Sequence, residues 1–137
     1  MTSIEAIIER AADGTYTVYC KHEIFSGAGE SIDQAKEDMK RQMAFYKETA
    51  IAEGFKHPAF LDEAFDISYQ VDMTSLLKYY VGNGILSLAG VSKMTGINQK
   101  QLWAYLNGTK PRKQQIDRME KGFRRLLQDL STIFAAA

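Results

Sequence analysis

The sequence predicts an α+β chain. Residues 1–71 form a small antiparallel sheet carrying one helix, in the order β-β-β-α-β, and residues 72–137 an all-α helix-turn-helix bundle. Three observations predict this. Apolar and polar residues alternate with period two on both sides of Asp13-Gly14, the pattern of a β-hairpin. One long amphipathic stretch begins at the capping pattern Ser31 to Gln34. Beyond Asp72, apolar residues at helical spacing are punctuated by Gly82-Asn83-Gly84, Gly96 and Asn107-Gly108.

In the first strand, Ser3 to Arg10, Ile4, Ala6 and Ile8 share one face and Glu5, Ile7 and Glu9 the other. The second, Thr15 to Lys21, sets Tyr16, Val18 and Cys20 against Thr15, Thr17 and Tyr19. A short apolar piece at Ile24-Phe25 supplies a third strand, after which Gly27 and Gly29 are expected to break the chain. A helix then runs from Ser31 to about Glu53, ending before Gly54, with Ile32, Ala35, Met39, Met43, Tyr46 and Ala50 as one apolar stripe. Gly54 to Ala64, with Pro58, reads as a loop. Phe65, Ile67, Tyr69 and Val71 alternate with Asp66, Ser68 and Gln70 as a last strand.

In the second half a helix is expected over Thr74 to Val81 and another over about Leu86 to Thr95. Asn98 is a natural N-cap for a third, with Gln101 at its third position, and Asn107-Gly108 ends it. Small Ser92 is placed where helices approach, and Val91, Ile97, Leu102 and Tyr105 face inwards. Pro111 precedes a fourth helix, Arg112 to about Phe134, repeating Ile116, Met119, Phe123, Leu126, Leu127, Leu130 and Ile133. Its first half closes the bundle. From Leu126 onward it buries either against a second subunit, making a homodimer, or against its own N-terminal domain.

Composition narrows the function classes. The chain has 137 residues, 45% hydrophobic and 25% charged, with two prolines and one cysteine, which excludes collagen-like, mucin-like and disordered chains. No apolar run approaches the roughly 18 residues of a membrane span, so no membrane partner is expected. The opening MTSIEAIIERAADG carries Glu5 and Glu9 where a secretory signal would be basic and then apolar. A lone Cys20 makes no internal disulfide, and a reducing cytoplasm is the expected location.

Seventeen basic and seventeen acidic side chains give zero net charge, but they are divided. Residues 1–71 hold 7 basic and 13 acidic side chains, net −6, and residues 72–137 hold 10 and 4, net +6. Such asymmetry points to a nucleic-acid-binding part joined to something else. In a helix-turn-helix the second helix enters the major groove of double-stranded DNA by its N-terminal turn. That turn offers Asn98, Gln99 and Lys100, with Trp103 one turn on. Asparagine and glutamine pair with adenine and lysine with guanine, while Trp103 either meets thymine methyls and sugars or shields the core. Lys93, Gln101, Asn107, Lys110, Arg112 and Lys113 are the candidate phosphate contacts.

Other chemistry is scarce. FSGAGES lacks the Gly-Lys-Ser/Thr ending of a phosphate-binding loop and reads as a structural turn. His22 and His57 lack zinc-ligand spacing, and Cys20 reads as a small buried hydrophobe with no base beside it. No catalytic residue, metal or cofactor is expected, and hence no enzyme.

The stretches IEAIIERAADGTYTVYC, SGAGESIDQAKEDM and GVSKMTGINQKQLWAYLNGTKPR together resemble the HicB family of bacterial antitoxins over nearly the whole chain. The sequence departs from that family's pattern in CKHEIFSGAGES, where the family has a proline-aspartate-leucine and a glycine-cysteine stretch, and in a longer Gly54 to Ala64 connection. The resemblance implies a partial RNase H-like N-terminal domain that blocks a small, basic, RNA-cleaving HicA-type toxin. It also implies a C-terminal repressor domain. A stand-alone regulator with a ligand-sensing or oligomerising N-terminal domain, and a protein-binding module that touches no DNA, are the alternative readings of the same residues.

Overall fold

The computed structural model describes all residues, Met1–Ala137, and the chain divides into two compact units, Met1–Asp72 and Met73–Ala137. The class is α+β. The first unit contains β1 (Thr2–Arg10), β2 (Tyr16–Cys20), β3 (Ser26–Gly29), α1 (Ile32–Glu53) and β4 (Phe65–Val71). Its sheet has the order β3-β2-β1-β4. β1 pairs antiparallel with β2, with Ala6 opposite Cys20 and Ile8 opposite Val18, but parallel with β4, with Ile4 opposite Ile67. The sheet is therefore mixed and not antiparallel throughout as the sequence predicts, because α1 carries the chain back across the sheet as a crossover before β4. The hairpin turn closes because the Asp13 carboxylate accepts from the Thr15 amide at 2.9 Å and from its hydroxyl at 2.7 Å. Gly14 supplies the positive φ of 91°.

The alternation decides which sheet face is covered. Ala6, Val18, Cys20 and Phe25 pack with Ala35, Met39 and Met43 of α1, and Ile4, Ile8, Tyr16, Phe65, Ile67 and Tyr69 join them. Burying each of the two methionines contributes roughly 1.5–3 kcal/mol. Cys20 lies inside this core, where burial pushes its thiol pKa up, with Glu23 adding to the effect. An apolar site that disfavours the thiolate makes it a packing residue.

The third strand corrects the sequence reading, because the glycines do not break the chain there. The Ser26–Gly29 segment is itself β3, pairing antiparallel with β2 through Val18 opposite Gly27 and Tyr16 opposite Gly29, while Ile24-Phe25 lies just outside it. The reason is the helix above. A Cβ on Gly27 would sit 2.3 Å from the Met39 nitrogen and 2.4 Å from the Ala35 oxygen, so α1 lies on backbone that only glycine leaves bare. Asp38 of α1 accepts from the outward Ala28 amide at 2.9 Å.

A second correction concerns Gly54 to Ala64, which is more than loop. Ala59–Asp62 forms a 3-10 turn that buries Phe60 and Leu61 in the core. Lys47 of α1 holds it by donating to the Leu61 carbonyl at 3.0 Å and pairing with Asp62 at 3.2 Å. His57 meets the Asp62 carboxylate at 2.9 Å, and this bond, followed by that from Lys47, lowers the Asp62 pKa.

The second unit contains α2 (Met73–Gly82), α3 (Leu88–Thr95), α4 (Gln99–Leu106) and α5 (Lys113–Ala136). Met73, Leu77, Val91, Ile97, Leu102, Tyr105 and Met119 form its core. α3 begins two residues later than the apolar pattern suggests, because Ser87 caps it by accepting from the Gly90 amide at 2.9 Å and leaves Leu86 outside the helix. The fold also uses a close approach that the sequence reading does not place. A Cβ on Gly122 of α5 would come within 2.9 Å of the Met94 carbonyl oxygen and of Thr95 Cγ2, whereas Ser92 is only half-buried. No helix is long and apolar enough to cross a membrane.

Candidate nucleic-acid interface

The junction of α3 and α4 is fixed by local hydrogen bonds. Gly96 takes a left-handed φ of 73° and its amide donates to the Ser92 carbonyl. Thr95 Oγ1 donates to the Val91 carbonyl at 2.8 Å and accepts from the Ile97 amide at 3.2 Å. Ile97 is 2% exposed and anchors the turn to the core. Asn98 then accepts from the Gln101 amide at 2.8 Å and opens α4. Two helices are thereby joined by the three residues Gly96, Ile97 and Asn98, the tight connection that a helix-turn-helix needs.

The inward and outward faces of α4 follow from its spacing. Leu102 and Tyr105 are buried, with Val91 and Ile97 beside them, while Gln99, Lys100 and Trp103 are exposed. Trp103 is 59% exposed, so its ring forms part of the outer surface. Asn98 is outward too, but its carbonyl oxygen already serves the cap, which fixes its orientation. Gln101 is half-buried at the third helical position. Of the four candidate base-reading residues, Gln99 and Lys100 are those on the N-terminal turn whose side chains make no hydrogen bond within the chain, while Asn98 keeps only its Nδ2 donor free.

The far end of α4 is equally determined. The Thr109 amide donates to the Ala104 carbonyl at 3.0 Å and the Gly108 amide to the Tyr105 carbonyl at 3.4 Å, with Gly108 at φ 104°. This paired closure is a Schellman motif. Asn107 contributes a side-chain bond from Nδ2 to the Trp103 carbonyl at 2.8 Å, so it is a capping residue first.

Lys110, Arg112 and Lys113 follow, all exposed. Arg112 is the N-cap of α5 and makes no side-chain capping bond, and the first turn of α5 holds no acidic residue. Cations at a helix N-terminus oppose its dipole, and a phosphate placed among them would relieve that opposition while accepting from free amides. None of Lys93, Lys100, Lys110, Arg112 and Lys113 is in an ion pair. A further basic group, Arg118, Lys121 and Arg125 on α5, lies outside the residues expected from the sequence. Its signal is legible there as the spacing i, i+3, i+7 around Gly122.

The acidic unit offers no comparable chemistry. His22 sits 3.4 Å from Glu5 on the exposed surface, His57 is committed to Asp62, and no group of three or more His, Cys, Asp or Glu side chains is placed to hold a metal ion.

Comparison of the chain with protein-family models, with curated proteins and with solved structures returns no match.

Proposed function

We propose that this chain is a DNA-binding transcriptional repressor of HicB antitoxin type. Its C-terminal unit holds operator DNA, and its acidic N-terminal unit neutralises a small basic RNA-cleaving toxin. The observation that carries the reading is the outward N-terminal turn of α4. Gln99 and Lys100 project from a helix locked at both ends, flanked by cations that have no partner in the chain. Such an arrangement suits base edges in a groove, with phosphates on either side. The excess of six acidic side chains in residues 1–71 supports an encounter with a basic partner, and the β-β-β-α-β order supports the resemblance that suggested one. A repressor of this kind would work in the cytoplasm.

The repressor acts as a homodimer on paired half-sites. Ile116, Met119, Phe123, Leu126, Leu130 and Ile133 of α5 alternate at spacings of three and four, a heptad stripe. Its first members pack in the unit's own core, while Leu130 and Ile133 remain 42% and 55% exposed. A second copy of α5 would cover them.

Gel-shift titration with DNA from upstream of its own gene tests the reading. Specific binding is expected, falling roughly a thousandfold between about 50 and 200 mM salt as counterions are released. Leu130→Glu with Ile133→Glu is expected to give a folded monomer in sedimentation that has lost most of that affinity. Salt-insensitive binding, or none, overturns the repressor. For the toxin, the neighbouring reading frame should encode a small basic protein whose RNA cleavage stops when this chain binds it. A neighbour of another kind leaves the chain a stand-alone regulator.

A further inference from the structure

α5 approaches the backbone of α3 closely at Gly122, where a residue with a Cβ would crowd the Met94 carbonyl and Thr95. Beside this contact lies a cleft of about 290 Å³ whose lining includes Lys93 from α3 and Arg118, Lys121 and Arg125 from α5. The α5 residues stand at i, i+3 and i+7, with Gly122 at i+4, so one helical face presents all three around the point where the helices meet. No carboxylate lines the cleft. The one ion pair on α5, Arg124 with Glu120 at 3.7 Å, involves none of these four side chains.

Like charges at i, i+3 and i+4 on a helix oppose folding, and the packing of α3 on α5 gains nothing from them. Four uncompensated cations around one concavity favour a multiply charged anion. Two guanidinium forks and two ammonium groups offer more charge and more donors than one carboxylate can answer, whereas a phosphate group brings up to two negative charges and three or more acceptor oxygens. The cleft lies at the small end of the range for ligand sites, which suits one or two phosphate groups rather than a bulky organic body.

We propose that the α3–α5 cleft, through Lys93, Arg118, Lys121 and Arg125, is a binding site for a phosphate-class oxyanion. The inference does not rest on base reading by α4, since it needs only the charges and shape of this cleft. The phosphate comes either from the DNA backbone, extending the footprint beyond α4, or from a free phosphorylated small molecule.

The test is a titration of the intact chain with sodium pyrophosphate, followed by backbone amide NMR, against sodium chloride at matched ionic strength. Saturable shifts are expected at Thr95, Gly96, Lys121 and Gly122 with pyrophosphate and not with chloride. Arg118→Gln with Arg125→Gln, both exposed, is expected to leave the spectrum folded and to weaken pyrophosphate by roughly tenfold for each guanidinium lost. Shifts that do not saturate, that chloride reproduces, or that survive the double substitution overturn the site. A duplex oligonucleotide then separates the sources. Displacement of pyrophosphate by DNA assigns the cleft to the backbone, and simultaneous binding assigns it to a small ligand. A chain that binds pyrophosphate here and no DNA at all would retain this site and lose the repressor.

Discussion

Gly27→Ala is expected to unfold the N-terminal unit or leave it without fixed packing. The new methyl group would lie 2.3 Å from the Met39 nitrogen and 2.4 Å from the Ala35 oxygen, and both are backbone atoms of α1 that no rotamer change can move. Relief requires lifting α1 from β3, which uncovers Ala35 and Met39, the residues that close the core over Val18 and Cys20. Overpacking of this kind costs about 3 kcal/mol or more, a large share of the roughly 4–10 kcal/mol that holds a unit of this size. Thermal unfolding followed by circular dichroism measures it. Ala28→Ser, at the exposed neighbouring position, should change stability by less than about 0.5 kcal/mol. Equal stability of Gly27→Ala and the parent chain would mean that α1 does not rest on β3 as described.

The second large effect is expected at the N-terminal turn of α4. Gln99→Ala with Lys100→Ala should lower affinity for the operator about 100-fold, since each well-placed base contact contributes about 1–3 kcal/mol of discrimination. The folded state should be unaffected, because both side chains are exposed and neither supplies the cap, which belongs to Asn98 and the Gln101 amide. Binding to random DNA should persist through Lys110, Arg112 and Lys113. Replacing those three with glutamine should instead weaken all sequences alike and flatten the salt dependence. If the Gln99 and Lys100 double variant keeps the parent's preference among sequences, α4 is not the reading element.

The elements that sequence reading found are those whose determinants are local. Strict alternation made β1, β2 and β4 visible, and Ser31 and Asn98 are caps because their side chains accept from amides three residues on. The inward positions Val91, Leu102 and Tyr105 follow from helical spacing, and Ile97 from being the one apolar residue of the turn between the two helices. What escaped depends on partners distant in the chain. A Ser-Gly-Ala-Gly strand has no β propensity to announce it, and it is a strand because α1 needs bare backbone beneath it. Phe60 and Leu61 look like loop residues until the core that receives them is known. At the candidate interface, Gln99 and Lys100 were legible as outward residues, whereas Trp103 stood open between an outward and a core-shielding role until its exposure in the fold decided it. Asn107 carried a second role, as a cap, that only the geometry of the Trp103 carbonyl reveals. The basic face of α5 is not visible in a charge count, because only the packing of Gly122 against α3 gathers its members around one cleft.

Trp103 is the chain's single tryptophan, and it lies exposed on α4, in the unit that contains no strand. Excited at wavelengths that tyrosine does not absorb, its fluorescence therefore reports one surface of one helix and leaves the sheet dark. Circular dichroism sees both units at once. The two signals together tell whether the units melt as one or in turn in the uncut protein, without a label or a truncation.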